Sequence, residues 1–268
     1  MEIIGEKINT SRKEVAAAVQ GRDAAFIQEL ARKQAEAGAD YLDVNSGLAL
    51  YPEEEAEDFS WLVPTIQEVV ETPLCIDSTR PQAIAAALEL CRGQSMINSV
   101  NGDPESLASI LPLAARHGSK VIAIPASREG GIPATSEGRV AIARTIAAEA
   151  QRHGVALGSV YFDPLVLSIS TNHDNGLLFL QTLTALKQEF PEARTVSGLS
   201  NVSFGLPRRG VLNRSFLALA LGRGMDAAIL DPTDRKLMAL ARATATLLGE
   251  DAHCAGYLRA FREGRLDP

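Results

Sequence analysis

Short apolar runs that end in a small polar residue recur along the chain, and a segment with helical spacing follows each run. Continuous apolar runs are typical of strands buried on both faces. Their alternation with helices predicts successive βα units and a parallel sheet. The predicted strands cover residues 2–5, 40–44, 73–77, 95–98, 119–124, 159–163, 194–200 and 226–230. Eight such repeats favour a closed (β/α)8 TIM barrel, a single domain over residues 1–268, rather than an open doubly wound sheet.

Apolar stripes, capping residues and turn residues predict the intervening helices. Asp23 is a predicted N-cap of the first helix, and Gly38 is its predicted C′ residue. A polar segment over 51–58 is expected to precede the second helix, and longer loops are expected at 125–137 and 164–172. The predicted helices cover residues 23–38, 59–70, 81–91, 105–117, 138–153, 174–189, 213–223 and 233–248, with a short extra helix within 249–268.

Composition and charge limit the class of protein. The 268 residues are close to the ~250 residues typical of such barrels. The formal net charge of −7 argues against non-specific nucleic-acid binding. Three cysteines without a CxxC pair favour a reducing compartment, and no apolar run reaches the ~18 residues of a membrane span. We therefore expect a soluble, cytoplasmic protein that binds neither nucleic acid nor membrane.

The polar residues at the strand ends are the candidate functional residues. The carboxyl ends of barrel strands converge on the face that carries the active site, so these distant side chains are expected to meet there. Helix capping is the alternative for any single Asp or Asn, but it accounts poorly for so many matching strand ends. The group comprises Glu6, Asp43, Asn45, Asp77, Asn98, Asp163 and Asn201.

The chemistry of this group suits a neutral planar ligand that is rich in N–H donors. One carboxylate can accept two parallel N–H groups, as it does from an arginine fork. Magnesium is the competing interpretation, because Glu6, Asp43, Asp77 and Asp163 all offer oxygen ligands. No histidine stands beside them in a zinc or iron pattern, and we expect no metal on this chain.

Two further patterns are open to a structural interpretation. Arg208 and Arg209 follow strand 7, where barrels often bind phosphate. They are either solvated charges or contacts for the acidic tail of a ligand or for an acidic partner. The stretch 251–256 spells D-x-H-x-x-G, a pattern by which corrinoid-binding domains supply a histidine. We expect this match to be a coincidence, because only twelve residues follow it.

Six segments of the sequence occur in a characteristic order. They are Ile4-Gly5-Glu6-Lys7-Ile8-Asn9, Leu42-Asp43-Val44-Asn45, Cys75-Ile76-Asp77-Ser78-Thr79, Met96-Ile97-Asn98-Ser99, Asp163-Pro164-Leu165 and Gly198-Leu199-Ser200-Asn201-Val202-Ser203. Together they resemble the pterin-binding methyltransferases that act on corrinoids. The nearest resemblance is to methyltetrahydrofolate:corrinoid/iron–sulfur protein methyltransferases and to the tetrahydrofolate methyltransferases of corrinoid-dependent demethylation. It covers nearly the whole chain, through Met225-Asp226-Ala227-Ala228-Ile229.

This resemblance implies a function and a set of site residues. The family's pterin ring is held at the positions that match Asp77, Asn98 and Asp163, and the position that matches Asn201 hydrogen-bonds N5. Asn201 and Asp163 are the predicted catalytic residues. The predicted pterin contacts also include Glu6, Asp43, Asn45, Ser200 and Arg209. Family members are TIM barrels and commonly homodimers, tetrahydrofolate or methyltetrahydrofolate is their substrate, and the corrinoid (cobalamin) arrives on a separate protein.

The expected reaction moves a methyl group between N5 of tetrahydrofolate and the cobalt of the corrinoid. Its direction stays open, because the same pocket serves transfer to Co(I) and the reverse transfer that follows O- or N-demethylation in anaerobic metabolism. Alternatives are an enzyme similar to dihydropteroate synthase, a metal-dependent TIM-barrel lyase and a non-catalytic folate-binding protein. The first resembles the chain less, because its strand 7 carries a Lys where this chain has residues 200–203.

Overall fold

Eight parallel strands form a barrel in the computed structural model, which describes residues 1–47 and 51–266. Neighbouring strands pair in the order β7-β6-β5-β4-β3-β2-β1-β8. A parallel bridge between Gly198 and Ile229 joins the two ends of the sheet. The strands are β1 (Glu2–Asn9), β2 (Tyr41–Asn45), β3 (Leu74–Asp77), β4 (Met96–Asn101), β5 (Lys120–Ile124), β6 (Val160–Phe162), β7 (Arg194–Thr195) and β8 (Ala227–Leu230). The predicted TIM barrel is confirmed.

Helices follow the strands and cover the outside of the barrel. They are α1 (Lys13–Gln20), α2 (Ala24–Glu36), α3 (Pro52–Gln67), α4 (Pro81–Leu90), α5 (Pro104–His117), α6 (Ser136–Arg152), α7 (Asn175–Glu189), α8 (Arg209–Leu221), α9 (Arg235–Leu247) and α10 (Ala255–Arg262). Short 3-10 helices cover Leu157–Ser159, Leu199–Ser203 and Ala252–Cys254. None of the helices in the described ranges combines the length and hydropathy that a membrane crossing requires.

The predicted caps of α2 are confirmed. The Asp23 side chain accepts a hydrogen bond from the backbone N–H of Phe26 at 3.1 Å, which satisfies one of the free donors of the first turn. Gly38 follows the helix with φ +99°, a backbone conformation that glycine adopts without steric cost. The extra helix expected in the tail is α10, while residues 267–268 of that prediction lie outside the described residues.

Three element predictions were wrong. Helix α1 was missed, although Val15, Ala18 and Val19 form its buried stripe. Helix α3 already includes most of the predicted polar segment 51–58, because acidic residues in a first turn favour the helix dipole. The predicted strand 194–200 keeps only two residues, and the chain then turns into the 3-10 helix Leu199–Ser203.

The barrel interior contains one apolar layer, to which each of the eight βα units contributes one side chain. Its members are Ile4, Tyr41, Cys75, Met96, Ile122, Tyr161, Val196 and Ala227, and all are buried. Below this layer, Glu2 accepts hydrogen bonds from Lys120 Nζ at 3.1 Å and from the Tyr161 hydroxyl at 2.6 Å. The amino-terminal end of the barrel is therefore occupied by side chains, and a ligand has to enter from the carboxyl-terminal end.

Candidate functional site

A polar layer lies directly above the apolar layer of the barrel. Successive side chains of a strand point to opposite faces, so the residue two positions after each apolar member also faces the interior. Those eight positions are Glu6, Asp43, Asp77, Asn98, Ile124, Asp163, Gly198 and Ile229. Five of them carry a carboxylate or an amide. The period of the strands thus gathers at one level most of the residues that the sequence predicted as a site.

Two amide–carboxylate hydrogen bonds connect this layer. Asn45 donates from Nδ2 to Oδ2 of Asp77 at 3.0 Å, between the neighbouring strands β2 and β3. Asn98 donates from Nδ2 to Oδ1 of Asp43 at 3.2 Å. The Asp43 side chain is almost fully buried, at 2% exposure, whereas Asp77 is half-buried. Asp77 is thus the more accessible acceptor for a ligand.

Burial makes these carboxylates harder to ionise. Burial, followed by the charge of Asp77, raises the pKa of Asp43 well above its ordinary value, against the opposing hydrogen bonds from Asn98 and Cys75. Burial raises the pKa of Asp77 to about 6, while the hydrogen bond from Asn45 acts in the opposite direction. Desolvation and neighbouring negative charge both disfavour a carboxylate. A ligand that brings N–H donors to this layer would replace the missing water.

Asp163 lies across the barrel from this pair, at the end of β6. Its Oδ1 accepts the backbone N–H of Leu165 at 2.8 Å, and the N–H of Gly198 is a second donor to the same carboxylate. Burial raises the pKa of Asp163 to about 6, against the effect of these donors and of the positive charge on Arg139. Two fixed donors orient the carboxylate without neutralising it.

Asn201 lies on the 3-10 helix beyond β7, whereas the sequence predicted it directly after a strand over 194–200. Its amide is close to the polar layer all the same, because a Cβ atom placed on Gly198 would lie 3.3 Å from Asn201 Nδ2. Gly198 therefore lies between Asn201 and Asp163. Its backbone N–H donates a hydrogen bond to the Asp163 carboxylate. The two predicted catalytic residues are neighbours on the β6–β7 side of the barrel, and Asn201 is exposed at the mouth.

Arg209 fastens the 3-10 helix that carries Asn201. Its Nη2 donates to the carbonyl oxygen of Ser200 at 2.6 Å, and its Nε donates to Ser203 Oγ at 3.0 Å. Ser203 Oγ in turn lies 2.6 Å from Oδ1 of Asn213 on α8. Ser200 and Arg209, both predicted as ligand contacts, therefore also bond to each other through this backbone carbonyl.

Glu6 on β1 is the remaining carboxylate of the polar layer. Burial, together with the negative charge of Asp231, raises the pKa of Glu6, and the positive charges of Lys7, Arg12 and Arg209 oppose this effect. Lys7 Nζ forms an ion pair with Asp231 Oδ2 at 2.6 Å. The charge of Arg209 thus favours the ionised form of Glu6, and the charge of Glu6 in turn raises the pKa of Asp43.

One other sequence pattern has a structural role here. The D-x-H-x-x-G match is a helix cap, because Asp251 accepts the backbone N–H groups of Gly256 at 2.9 Å and Tyr257 at 2.8 Å at the start of α10. Among the described residues, no group of three or more His, Cys, Asp or Glu side chains is placed to hold a metal ion.

Comparison with known proteins identifies the family to which this site belongs. Residues 5–231 match the family model described as pterin binding enzyme. This chain is a member of the pterin-binding enzyme family. The match runs from the start of the polar layer in β1 to the end of β8, so it includes every residue of the predicted site.

Individual relatives of this pterin-binding enzyme are methyltransferases or contain a related segment. The chain is 40% identical to the methylcorrinoid:tetrahydrofolate methyltransferase of Eubacterium limosum over 270 aligned positions, which cover 100% of this chain and 98% of that protein. It is 32% identical to the methionine synthases of Mycobacterium tuberculosis and Mycobacterium leprae across 85% of its own length. It spans only 20% of those larger proteins.

The same fold occurs in a solved structure of Yersinia pestis DHPS with a pterine–sulfa conjugate. The TM-score is 0.67, and the alignment covers 92% of this chain and 93% of the DHPS chain. Only 16% of the aligned residues are identical. This likeness supports the barrel architecture and carries no information about the reaction of this pterin-binding enzyme.

Sequence reasoning missed two residues of the candidate site. Gly198 was recognised only as part of a motif, but it is the contact between Asp163 and Asn201. Arg139 on α6 lies outside the barrel wall and acts electrostatically on Asp163. A glycine in a polar strand end is a detectable signal. The position of Arg139 in the sequence gives no such signal, because an arginine near the start of a helix is usually exposed to solvent.

Proposed function

We propose that this pterin-binding enzyme transfers a methyl group from a methylated corrinoid to N5 of tetrahydrofolate. The observation that carries the proposal is the 40% identity to a methylcorrinoid:tetrahydrofolate methyltransferase along the whole chain. This relative also supports the direction of transfer, which the pocket alone leaves open. The polar layer supports the folate substrate, because its accessible carboxylates suit the N–H groups of a pterin.

The pterin ring would bind flat against the apolar layer, with its amino-pyrimidinone edge toward Asp77 and Asn98. Asn45 holds one oxygen of Asp77, so the carboxylate has a defined orientation for two parallel N–H donors. Asn98 uses its NH2 group on Asp43, which leaves its carbonyl oxygen as an acceptor. Asp163 would accept from the opposite side of the ring, where two backbone donors already fix it.

The transfer step needs little acid–base assistance before the methyl group moves. The nitrogen lone pair of N5 attacks the methyl carbon, the Co–C bond breaks, and its electron pair stays on cobalt as Co(I). N5 becomes positively charged and then releases its proton through a water molecule to a base. We assign Asn201 to a hydrogen bond in which its carbonyl oxygen accepts from N5–H. Such a bond strengthens as positive charge develops on N5. It therefore stabilises the transition state of methyl transfer more than the ground state.

Asp163 is the second residue that we assign to this step. Its pKa of about 6 lies close to neutral pH, and a general base works well when its pKa is near the operating pH. From its position beside Gly198 it would receive the N5 proton through one water molecule. Arg209 positions Asn201 through its hydrogen bond to the Ser200 carbonyl. Ser200, Arg209 and Glu6 would also contact the remainder of the folate.

The partner of the reaction is proposed to be a separate corrinoid-carrying protein. The exposed position of Asn201 at the mouth supports this arrangement, since the cobalt has to approach N5 from the open end of the barrel. We also propose a homodimer that carries no metal ion of its own and works in the cytoplasm. Sedimentation analysis of the purified protein tests the homodimer, and metal analysis after dialysis tests the absence of a bound metal.

A methyl-transfer assay tests the proposed function. Methylcob(III)alamin or a methylated corrinoid protein is mixed with tetrahydrofolate, and Co(I) formation is followed by visible absorbance. Asn201→Ala is expected to lower the single-turnover rate by about 10²–10³-fold, the effect of removing one such hydrogen bond, while tetrahydrofolate affinity falls less. Asp77→Ala is expected to abolish tetrahydrofolate binding because the donor edge loses its acceptor.

Asn172→Ala is the matched control, because Asn172 is also an exposed asparagine beyond a strand end, and within the described part of the chain its side chain accepts a hydrogen bond just from the backbone N–H of Asp174. It should retain wild-type rates. Wild-type protein that neither binds tetrahydrofolate nor forms Co(I) would refute the proposal. An unchanged single-turnover rate in Asn201→Ala would refute the role of that residue.

The alternatives have weaker support. The likeness to DHPS extends to the fold at 16% identity, whereas the methyltransferase relative shares 40% of its residues. A metal-dependent lyase predicts that chelators abolish activity, so methyl transfer that survives EDTA would exclude it. A non-catalytic folate-binding protein has no need for Asn201, which is present here beside Asp163.

A further inference from the structure

A buried arginine lies directly behind the Asp163 side of the site. Arg139, on the first turn of α6, is 1% exposed and is among the largest fully buried side chains of the described chain. A buried cation is costly unless several groups compensate for the lost water. Its location therefore requires an explanation beyond the packing of α6.

Backbone carbonyls, rather than a carboxylate, solvate this guanidinium. Nη1 donates to the carbonyl oxygens of Pro164 at 2.6 Å and Leu165 at 2.7 Å, and Nε donates to that of Pro133 at 3.0 Å. None of the ion pairs within 4.0 Å in the described ranges involves Arg139. Two of its three acceptors belong to the turn that immediately follows Asp163.

That turn determines where the Asp163 carboxylate points. Leu165 has a left-handed backbone with φ +64°, which a leucine rarely adopts without support from its surroundings. The same residue donates its N–H to Asp163 Oδ1 at 2.8 Å. Arg139 thus holds the Pro164 carbonyl of the same peptide unit whose Leu165 N–H holds the carboxylate, and it also holds the carbonyl of the next unit.

The charge of Arg139 also reaches Asp163 without a direct contact. It favours the ionised carboxylate, in opposition to burial. From the barrel interior, the groups that face the same mouth are the carboxylates Glu6, Asp43 and Asp77, on β1, β2 and β3. Within the described part of the chain, Arg139 on α6 is thus the cation whose charge lowers the pKa of Asp163, and it acts from the outer side of the barrel wall.

We infer that Arg139 is a positioning residue for the pterin: it fixes the turn after Asp163 and places a positive charge behind that carboxylate. This inference rests on the proposed function, because the pterin is the ligand that Asp163 would accept. It assigns two separable effects to one side chain. The fork to Pro164 and Leu165 provides orientation, and the positive charge provides ionisation.

Two variants separate the two effects. Arg139→Met removes the charge and the fork while keeping most of the apolar volume. Arg139→Lys keeps the charge but cannot hold two carbonyls in the planar geometry of a guanidinium. The control is Arg144→Met on the same helix, because Arg144 makes an exposed, two-point pair with Glu189 at the surface.

Tetrahydrofolate affinity measured against pH is the readout that a merely structural role would not move. In Arg139→Met, which lacks both the fork and the charge, binding should weaken at every pH, and the midpoint of the affinity increase should also move up by about one pH unit, which adds about a further 10-fold loss below it. Arg139→Lys should weaken binding at every pH and leave the midpoint near that of the wild type. Arg144→Met should match the wild type in both respects.

A ligand-free measurement keeps this inference distinct from the proposed function. Carbon-13 NMR of the Asp163 carboxyl should show a higher titration midpoint in Arg139→Met than in wild type, without any folate present. Should Arg139→Met not fold, Arg139→Lys remains decisive, because wild-type affinity in that variant would overturn the positioning role. An unshifted midpoint in folded Arg139→Met would overturn the role of the charge. Wild-type protein that does not bind tetrahydrofolate would refute the proposed function instead.

Discussion

Asn98 donates a hydrogen bond from its side-chain amide to Oδ1 of Asp43, 3.2 Å away, although β3 lies between their strands. The bond crosses the barrel interior in front of β3. It satisfies a carboxylate that is almost fully buried, and it fixes which end of the Asn98 amide is available to a ligand. The bond therefore links the stability of the empty barrel to the recognition of the pterin.

Removal of this amide should destabilise the protein in a pH-dependent way. Asn98→Ala leaves the Asp43 carboxylate with one donor fewer, which costs about 1–3 kcal/mol when the group is charged. The pKa of Asp43 is already raised by burial, so the loss should be larger at about pH 8 than at about pH 5. Urea unfolding at both pH values measures it. The double variant Asp43→Asn/Asn98→Ala should lose this pH dependence, and equal losses at both pH values would contradict the prediction.

Pterin affinity should increase with pH through the titration of Asp77 and Asp163. Burial raises the pKa of each to about 6, and only the ionised carboxylates accept two N–H donors. Tetrahydrofolate titrations should show weak binding at about pH 5 and a plateau above about pH 7. Replacement of either residue by asparagine should weaken binding and flatten the curve. A wild-type affinity that does not change over this range would exclude ionised acceptors at both positions.

The same two groups should make the empty protein less stable as the pH rises. Their folded pKa values lie above the ordinary value of about 4, so the folded state binds more protons than the unfolded state between about pH 4 and pH 6. The free energy of unfolding then falls as the pH rises across this interval. Urea unfolding of Asp77→Asn and Asp163→Asn should show a smaller slope than wild type, and a steeper slope would reverse the assigned sign.

Gly198→Ala should slow methyl transfer more than it weakens folate binding. Gly198 has φ −72°, which alanine tolerates, but the added Cβ would lie 3.3 Å from Asn201 Nδ2. The amide has to move by a few tenths of an ångström, and we expect about a 10-fold lower single-turnover rate, since small misplacements of catalytic groups are costly. Gly158→Ala is the control, because its Cβ would meet only the Glu192 carbonyl oxygen at 3.8 Å. Equal rates in both variants would contradict the prediction.

Arg209→Ala should lower the rate by loosening the 3-10 helix that carries Asn201. The variant loses the hydrogen bonds to the Ser200 carbonyl and to Ser203 Oγ. Arg209→Lys should not restore the rate, because an ammonium group cannot reproduce the two-point contact. Arg208→Ala, one position earlier, should behave like wild type since Arg208 shares neither contact. Full activity of Arg209→Ala in single-turnover measurements would show that the 3-10 helix needs no such fastening.

The sequence alone was sufficient for the barrel and for the level at which its site lies. Apolar runs that alternate with helices predicted eight βα units, and the two-residue period of each strand places Asp77 directly above Cys75 and Asp163 above Tyr161. These features depend on local spacing, which is a property of the chain itself. The family segments then supplied the identity of the expected ligand.

The tertiary structure decided which partners these residues have. The bond from Asn98 to Asp43 depends on the register of three strands, and the place of Asn201 depends on a strand that ends after two residues and turns into a 3-10 helix. Arg139 reaches Asp163 from a helix outside the wall. Such contacts join residues that are distant along the chain, and only closure of the barrel, which removes water from all of them at once, determines which polar groups have to satisfy one another.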